Sequence, residues 1–175
     1  MDLDSHIRRI PDFPKPGILF YDISTLLHNA AAWAAAVERM SGLVADWKPD
    51  LVAGIESRGF LFAAPVSIAL GTGMVMVRKV GKLPGTVVSH SYDLEYGSDT
   101  LQVSDGLVPR GARVVLIDDL IATGGTAEGA IKLLQKIGAN VVAACFVIDL
   151  PDLGGAQKIR DLGVPVRTLV SFGGH

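Results

Sequence analysis

A chain of 175 residues, 49% hydrophobic and 19% charged, suits one globular domain with a real core and excludes a disordered one. A net charge of −2 without any basic run argues against a nucleic-acid partner, and no apolar stretch approaches the ~20 residues of a membrane span. The single cysteine, Cys145, excludes an internal disulfide and a cysteine metal cluster; it is expected as a small buried hydrophobe in a reducing cytoplasm.

The amino terminus, "MDLDSHIRRIPDFPKPG", has no apolar core of signal-peptide type. "LDSHIRRI" predicts a short helix stopped by Pro11, and the proline-rich "PDFPKPGILFYDIS" predicts extended, irregular chain. From Ala30 to Trp47, the stripe Trp33, Val37, Met40, Val44 and Trp47 has helical spacing and is expected to face the core. "DLVAGIE" reads as a buried strand and "SRGFLFAAPVSIAL" as an apolar helix disturbed at Pro65. "GMVMVRKV" is a second strand, and "TVVSHSYDLEYGSDTLQVS" predicts a hairpin projecting from the body. "ARVVLIDD" is a third buried strand, with "GTAEGAIKLLQKIG" as its helix and Gly138 as the C-terminal cap. "NVVAACFVIDL" and "VPVRTLVSF" are further strands, with the helix "GAQKIRDLG" between them. This alternation predicts an α/β fold with a central, mostly parallel sheet flanked by helices on both faces. Ligands of such sheets bind beyond the carboxyl ends of the strands, where Glu56, Asp118 and Asp119 fall.

The chemistry concentrates in "VVLIDDLIATGGT". Adjacent carboxylates at the end of an apolar strand repel each other and are costly to bury without partners. The loop Ala122, Thr123, Gly124, Gly125 and Thr126 opens a helix, so free backbone N–H groups and hydroxyls can receive an anion such as a phosphate monoester. The P-loop spacing GxxxxGK and the Rossmann GxGxxG are both missing. The alternative is an ordinary strand-to-helix turn capped by Thr126. Beside a phosphate cradle, Asp118 and Asp119 suit the neighbouring hydroxyls of a ribose and oppose the positive charge of an oxocarbenium-like state. The four histidines, His6, His28, His90 and His175, have no metal-ligand spacing.

This stretch resembles the phosphoribosyl-pyrophosphate signature of the type I phosphoribosyltransferases, and from Ile7 to Phe172 the chain is similar to the adenine-specific branch of that family. The resemblance implies one phosphoribosyltransferase domain over 1–175, with 1–35 as a hood and base-binding segment, 50–170 as the core, and a mobile hairpin loop. It gives Asp118 and Asp119 to the ribose hydroxyls and Ala122–Thr126 to the 5′-phosphate. In "IPDFPKPGILFYDIS" it implies that Leu19 and Tyr21 read the adenine edge by backbone groups and that Phe20 lies on the ring, core packing being the alternative for Phe20. Ile10 stands there where members often carry phenylalanine. "GIESRGFLF" resembles the pyrophosphate loop, which implies a cis peptide at Glu56–Ser57 and a role for Arg58; a surface helix arginine is the alternative. Arg78, Lys79 and Lys82 are implied to meet the leaving pyrophosphate, with Val80 replacing a frequent basic residue; an exposed basic turn is the alternative. "SYDLEYG" resembles the closing loop, in which Glu95 assists proton transfer at N7 of the base and Tyr96 shields the site. The implied reaction joins adenine and phosphoribosyl pyrophosphate into AMP with Mg²⁺ carried mainly by substrate, in a homodimer. A transferase for another purine base and a non-catalytic nucleotide-binding regulator are the remaining alternatives.

Overall fold

The computed structural model describes residues 1–94 and 96–174. In chain order, a 3-10 turn at Asp4–His6 leads into β1 (Arg8–Pro11) and β2 (Leu19–Asp22), which pair antiparallel, and then α1 (Ser24–His28) and α2 (Ala30–Val44). β3 (Leu51–Ile55), α3 (Phe60–Leu70) and β4 (Gly73–Lys79) follow, then the hairpin β5 (Val87–Asp93) and β6 (Ser98–Ser104). β7 (Arg113–Ile121), α4 (Gly125–Lys136), β8 (Asn140–Asp149), α5 (Gly155–Asp161) and β9 (Val166–Ser171) complete the chain.

Seven strands form one sheet in the order β5-β6-β4-β3-β7-β8-β9. β4, β3, β7, β8 and β9 run parallel, and only the hairpin is antiparallel. Both faces are covered. Val114, Leu116 and Phe146 pack with Ile131, Leu134 and Ile159 of α4 and α5. Val115, Ile117 and Cys145 pack with Met40, Phe62 and Val66 of α2 and α3 on the other face. This double burial explains why β7 and β8 read as continuous apolar runs, each fully buried large side chain contributing about 1.5–3 kcal/mol.

Three expectations change. The helix over "LDSHIRRI" shrinks to one 3-10 turn, because Arg8–Pro11 finds a strand partner in β2 and Arg8 pairs with Asp22 across it. A helix this short has too few hydrogen bonds to offset its nucleation. In α2 the fully buried row is Ala32, Ala36, Met40 and Val44, while Trp33 and Val37 are only half-buried, as is Trp47 beyond the helix end. Small alanines let the helix lie close on its neighbours, and the bulky side chains flank that contact. The hairpin does not stand apart: β6 pairs with β4 through Arg78↔Gln102 and Lys79↔Leu101, so it extends the sheet. α3 continues through Pro65, with Phe62, Ala63 and Val66 fully buried around the one missing N–H donor. Gly138, at φ 92°, follows the end of α4 as its sequence implies.

The order places β4 on one side of β3 and β7 on the other. The chain leaves β3 toward β4 and leaves β7 toward β8, on opposite sides of the β3–β7 pair, and a crevice opens at the carboxyl ends of these two strands.

Candidate active site

β7 carries Asp118 and Asp119 to that crevice, and the loop after it turns into α4. Arg58, Asp118, Asp119 and the loop Ala122–Thr126 enclose a cleft of about 200 Å³. Arg58 Nε donates to Asp119 Oδ2 at 2.7 Å, and the Asp119 backbone N–H donates to Asp118 Oδ1 at 2.8 Å. Burial, then the negative charge of Asp119, hold the Asp118 carboxyl well above the usual carboxylate range. The Asp119 hydrogen bond raises the Arg58 guanidinium in turn. The site therefore holds its acids in an unequal pair, one bridged to a cation and one inclined to keep a proton.

The loop is anchored without a capping side chain. Gly124 occupies the N-cap of α4 at φ 86°, and no side chain accepts the first-turn N–H groups there. Those donors are available to an anion. The alternative in which Thr126 caps the turn is not what forms. A Cβ on Gly124 would lie 2.8 Å from Gly155 Cα, so the loop and the start of α5 meet backbone to backbone. The Gly155 N–H donates to the Ala122 carbonyl at 3.0 Å and braces the loop from behind.

A second pocket, of about 410 Å³, lies beside the first and also includes Arg58. Phe20 lines it, half-buried and outside both core clusters, with the Phe13 ring edge-on at 5.1 Å and 76°. Tyr21 alternates to the other side of β2, where its ring stacks on Phe172 at 4.7 Å. Leu19 is exposed on the same strand. Arg58 Cζ stands 5.9 Å from the Phe20 ring centroid, so one guanidinium borders the aromatic pocket and the acidic cleft together.

The phosphoribosyl transferase domain matches residues 21–168 of the chain. An adenine phosphoribosyltransferase of Gluconacetobacter diazotrophicus is 59% identical over 98% of this chain and 96% of its own length. The crystal structure of the Thermoanaerobacter pseudethanolicus adenine phosphoribosyltransferase superposes with a TM-score of 0.93 at 43% identity, covering 97% of this chain and 98% of that one. The Saccharomyces cerevisiae adenine phosphoribosyltransferase, complexed with an imino-altritol bisphosphate and adenine, has a TM-score of 0.88 at 37% identity, covering 96% of each chain. The chain belongs to the adenine phosphoribosyltransferase family.

Not every residue that the family resemblance singled out lines the cleft. The Glu56–Ser57 peptide is cis, and Ser57 and Arg58 are exposed beyond β3. Glu56 turns away to accept from the Lys79 N–H at 2.6 Å and from Arg78 Nε at 3.3 Å. Arg78 also lies over the Phe60 ring, and Lys79 pairs with Asp99 on β6. Lys82 is exposed. Tyr96 is 89% exposed near the turn of the hairpin, and Glu95 lies outside the described residues.

Other positions in this phosphoribosyltransferase site escaped sequence reasoning. Gly59 is buried where a Cβ would sit 2.3 Å from the Ile55 carbonyl oxygen and 2.7 Å from Asp118 Oδ1, so its missing side chain leaves room for the end of β3 and for the acid. Gly155 serves the loop in the same way. Tyr92, on β5, reaches Thr126 with its hydroxyl. The one available signal was glycine in places where a helix prefers another residue, as at Gly129 inside α4.

Proposed function

We propose that the chain transfers the 5-phosphoribosyl group of phosphoribosyl pyrophosphate to adenine, giving AMP and pyrophosphate in purine salvage. The observation that carries this reading is the junction at Arg58, where an aromatic pocket meets an acidic cleft that ends in an uncapped helix N-terminus. The identity to adenine phosphoribosyltransferases over nearly the whole chain supports the same choice of base.

In this mechanism the 5′-phosphate lies on the first-turn N–H groups of α4 and the hydroxyls of Thr123 and Thr126. Asp118 and Asp119 lie along the ribose hydroxyls, and the Asp119 carboxylate, with Asp118 once it sheds its proton, opposes the positive charge that grows as the C1–pyrophosphate bond breaks. Phe20 stacks on adenine, and the backbone of Leu19 and Tyr21 reads its edge. Glu95 manages the proton at N7 while N9 bonds to the sugar. Arg58 leaves Asp119 for the departing anion, joined by Ser57, by the exposed Lys82, and by Arg78 and Lys79 as Glu56 and Asp99 release them. The hairpin, with Tyr96, closes over the site and keeps water from the activated sugar.

Mg²⁺ is the metal we assign to the reaction. Among the described residues no three His, Cys, Asp or Glu side chains converge on one point, so substrate oxygens would hold it with Asp118 and Asp119 as the acidic contacts at hand. When bound, it neutralises charge on the leaving pyrophosphate. The same proposal takes the chain as one cytoplasmic domain, 1–35 forming the hood, that works as a homodimer. A monomer by sedimentation would remove the homodimer from this proposal.

The test is pyrophosphate release with Mg²⁺ and, in turn, adenine, guanine, hypoxanthine, xanthine and uracil. Release with adenine alone is expected. Release with another base instead would overturn the specificity, and donor binding without release would make the protein a sensor.

A further inference from the structure

Gly129 sits in the interior of α4, where glycine costs about 1 kcal/mol relative to alanine. A Cβ there would lie 2.7 Å from Tyr92 Cδ1 and 3.0 Å from Cγ. The helix gives up a better helix-forming residue at the place where the Tyr92 ring rests. Tyr92 is 9% exposed on β5, and its hydroxyl lies 3.4 Å from Thr126 Oγ1. Thr126 in turn lines the acidic cleft. Ring seat and hydroxyl contact are separate observations, and both fix this phenol against the loop.

A phenol is a stronger donor than an aliphatic alcohol, and a threonine hydroxyl has a single proton with two lone pairs. With Tyr92 donating, a lone pair of Thr126 Oγ1 is occupied, and the threonine's own proton is left for another acceptor. The cleft is where an anion would supply one. The geometry points to Tyr92 as a positioning residue that sets the Thr126 hydroxyl as a donor to the phosphate of the sugar. The assignment rests on the reading of Ala122–Thr126 as the 5′-phosphate loop. The two hydrogen bonds reinforce each other: a Thr126 hydroxyl donating to phosphate becomes a better acceptor, so the 3.4 Å contact tightens when the loop fills. Tyr92 thereby makes phosphate affinity depend on a residue that touches no substrate atom.

The experiment is a double-mutant cycle read by calorimetric binding of ribose 5-phosphate to wild type, Tyr92→Phe, Thr126→Val and the double variant. Tyr92→Phe keeps the ring that fills the seat on Gly129 and removes only the hydroxyl. It should weaken binding roughly three- to tenfold, the range of one net hydrogen bond. Thr126→Val should weaken binding too, and the double variant should bind about as Thr126→Val does, because the second change removes a contact already lost. In turnover, the KM for the phosphoribosyl donor should rise with Tyr92→Phe while the KM for adenine stays, a split that general loosening of the fold would not produce. Wild-type affinity in Tyr92→Phe alongside weakened Thr126→Val would overturn the inference and leave the phosphate loop standing. Losses that multiply in the double variant would overturn it as well. Undiminished binding by Thr126→Val would overturn the inference and leave the backbone N–H groups of the loop to hold the phosphate, whereas no binding of ribose 5-phosphate by the wild type would overturn the loop reading itself.

Discussion

Asp118 holds a carboxyl against its own preference for water. Its folded state favours the proton more than its unfolded state does, through burial first and the charge of Asp119 second. Such a group adds stability below the ordinary carboxylate range and loses it as pH rises toward the raised value. Asp118→Asn should therefore melt higher than wild type at neutral pH, with the gap widening as pH rises above the ordinary carboxylate range, while turnover falls. A gap in Tm that stays constant with pH would contradict this account. For Glu95→Gln, turnover should drop by roughly 10²–10⁴-fold, the span of one positioned acid or base, and unchanged turnover would remove its proton role. Cys145 is the inert counterpart. Burial pushes its thiol up to about 12, and a thiol reagent should label it only once the protein unfolds.

At the scale of elements, the phosphate loop depends on α5 as much as on the strand and helix it joins. Gly155 meets Gly124 so closely that a Cβ on it would lie 2.8 Å from the Gly124 nitrogen. Gly155→Ala should shift the loop and raise the KM for the phosphoribosyl donor far more than that for adenine. Equal changes in both would point to a general loss of structure. The contrast between these contacts and β7 shows what one dimension carries. "VVLIDD" announces a buried strand ending in charge, and "ATGGT" announces an anion-ready turn, because each is written in adjacent residues. The helix expected at the amino terminus gave way to β1 because its partner, β2, lies across a proline-rich loop. Glu56 looked like a cleft carboxylate by its place after β3, yet Arg78 and the Lys79 N–H, brought alongside by the parallel pairing of β3 with β4, claim it. The meeting of Tyr92 with Gly129 is similarly a product of packing between β5 and α4, which no local pattern encodes.

Across the whole molecule, the sheet separates two apolar layers and leaves its chemistry at one end. A second buried carboxyl belongs to that end. Asp149 closes β8, its Oδ1 lacks a hydrogen-bond partner, and burial raises it. Asp22 moves the other way, held near 2 by hydrogen bonds from Ser24 and Arg8, so its contribution persists until strong acid. These signs together predict a thermal stability that declines as pH rises above the ordinary carboxylate range. That decline should flatten in the Asp118→Asn, Asp149→Asn double variant.

The pairing of Arg58 with Asp119, Arg78 with Glu56 and Lys79 with Asp99 has a consequence for the traffic of substrate. Three of the four cations assigned to the pyrophosphate are already answered by a carboxylate, and the chain as a whole carries a net charge of −2. From a distance the open cleft offers little attraction, so the sugar donor arrives by unassisted diffusion and the encounter rate should change little with added salt. Its charge is felt only on contact, as partners are exchanged one by one, which makes departure the salt-sensitive half of the journey.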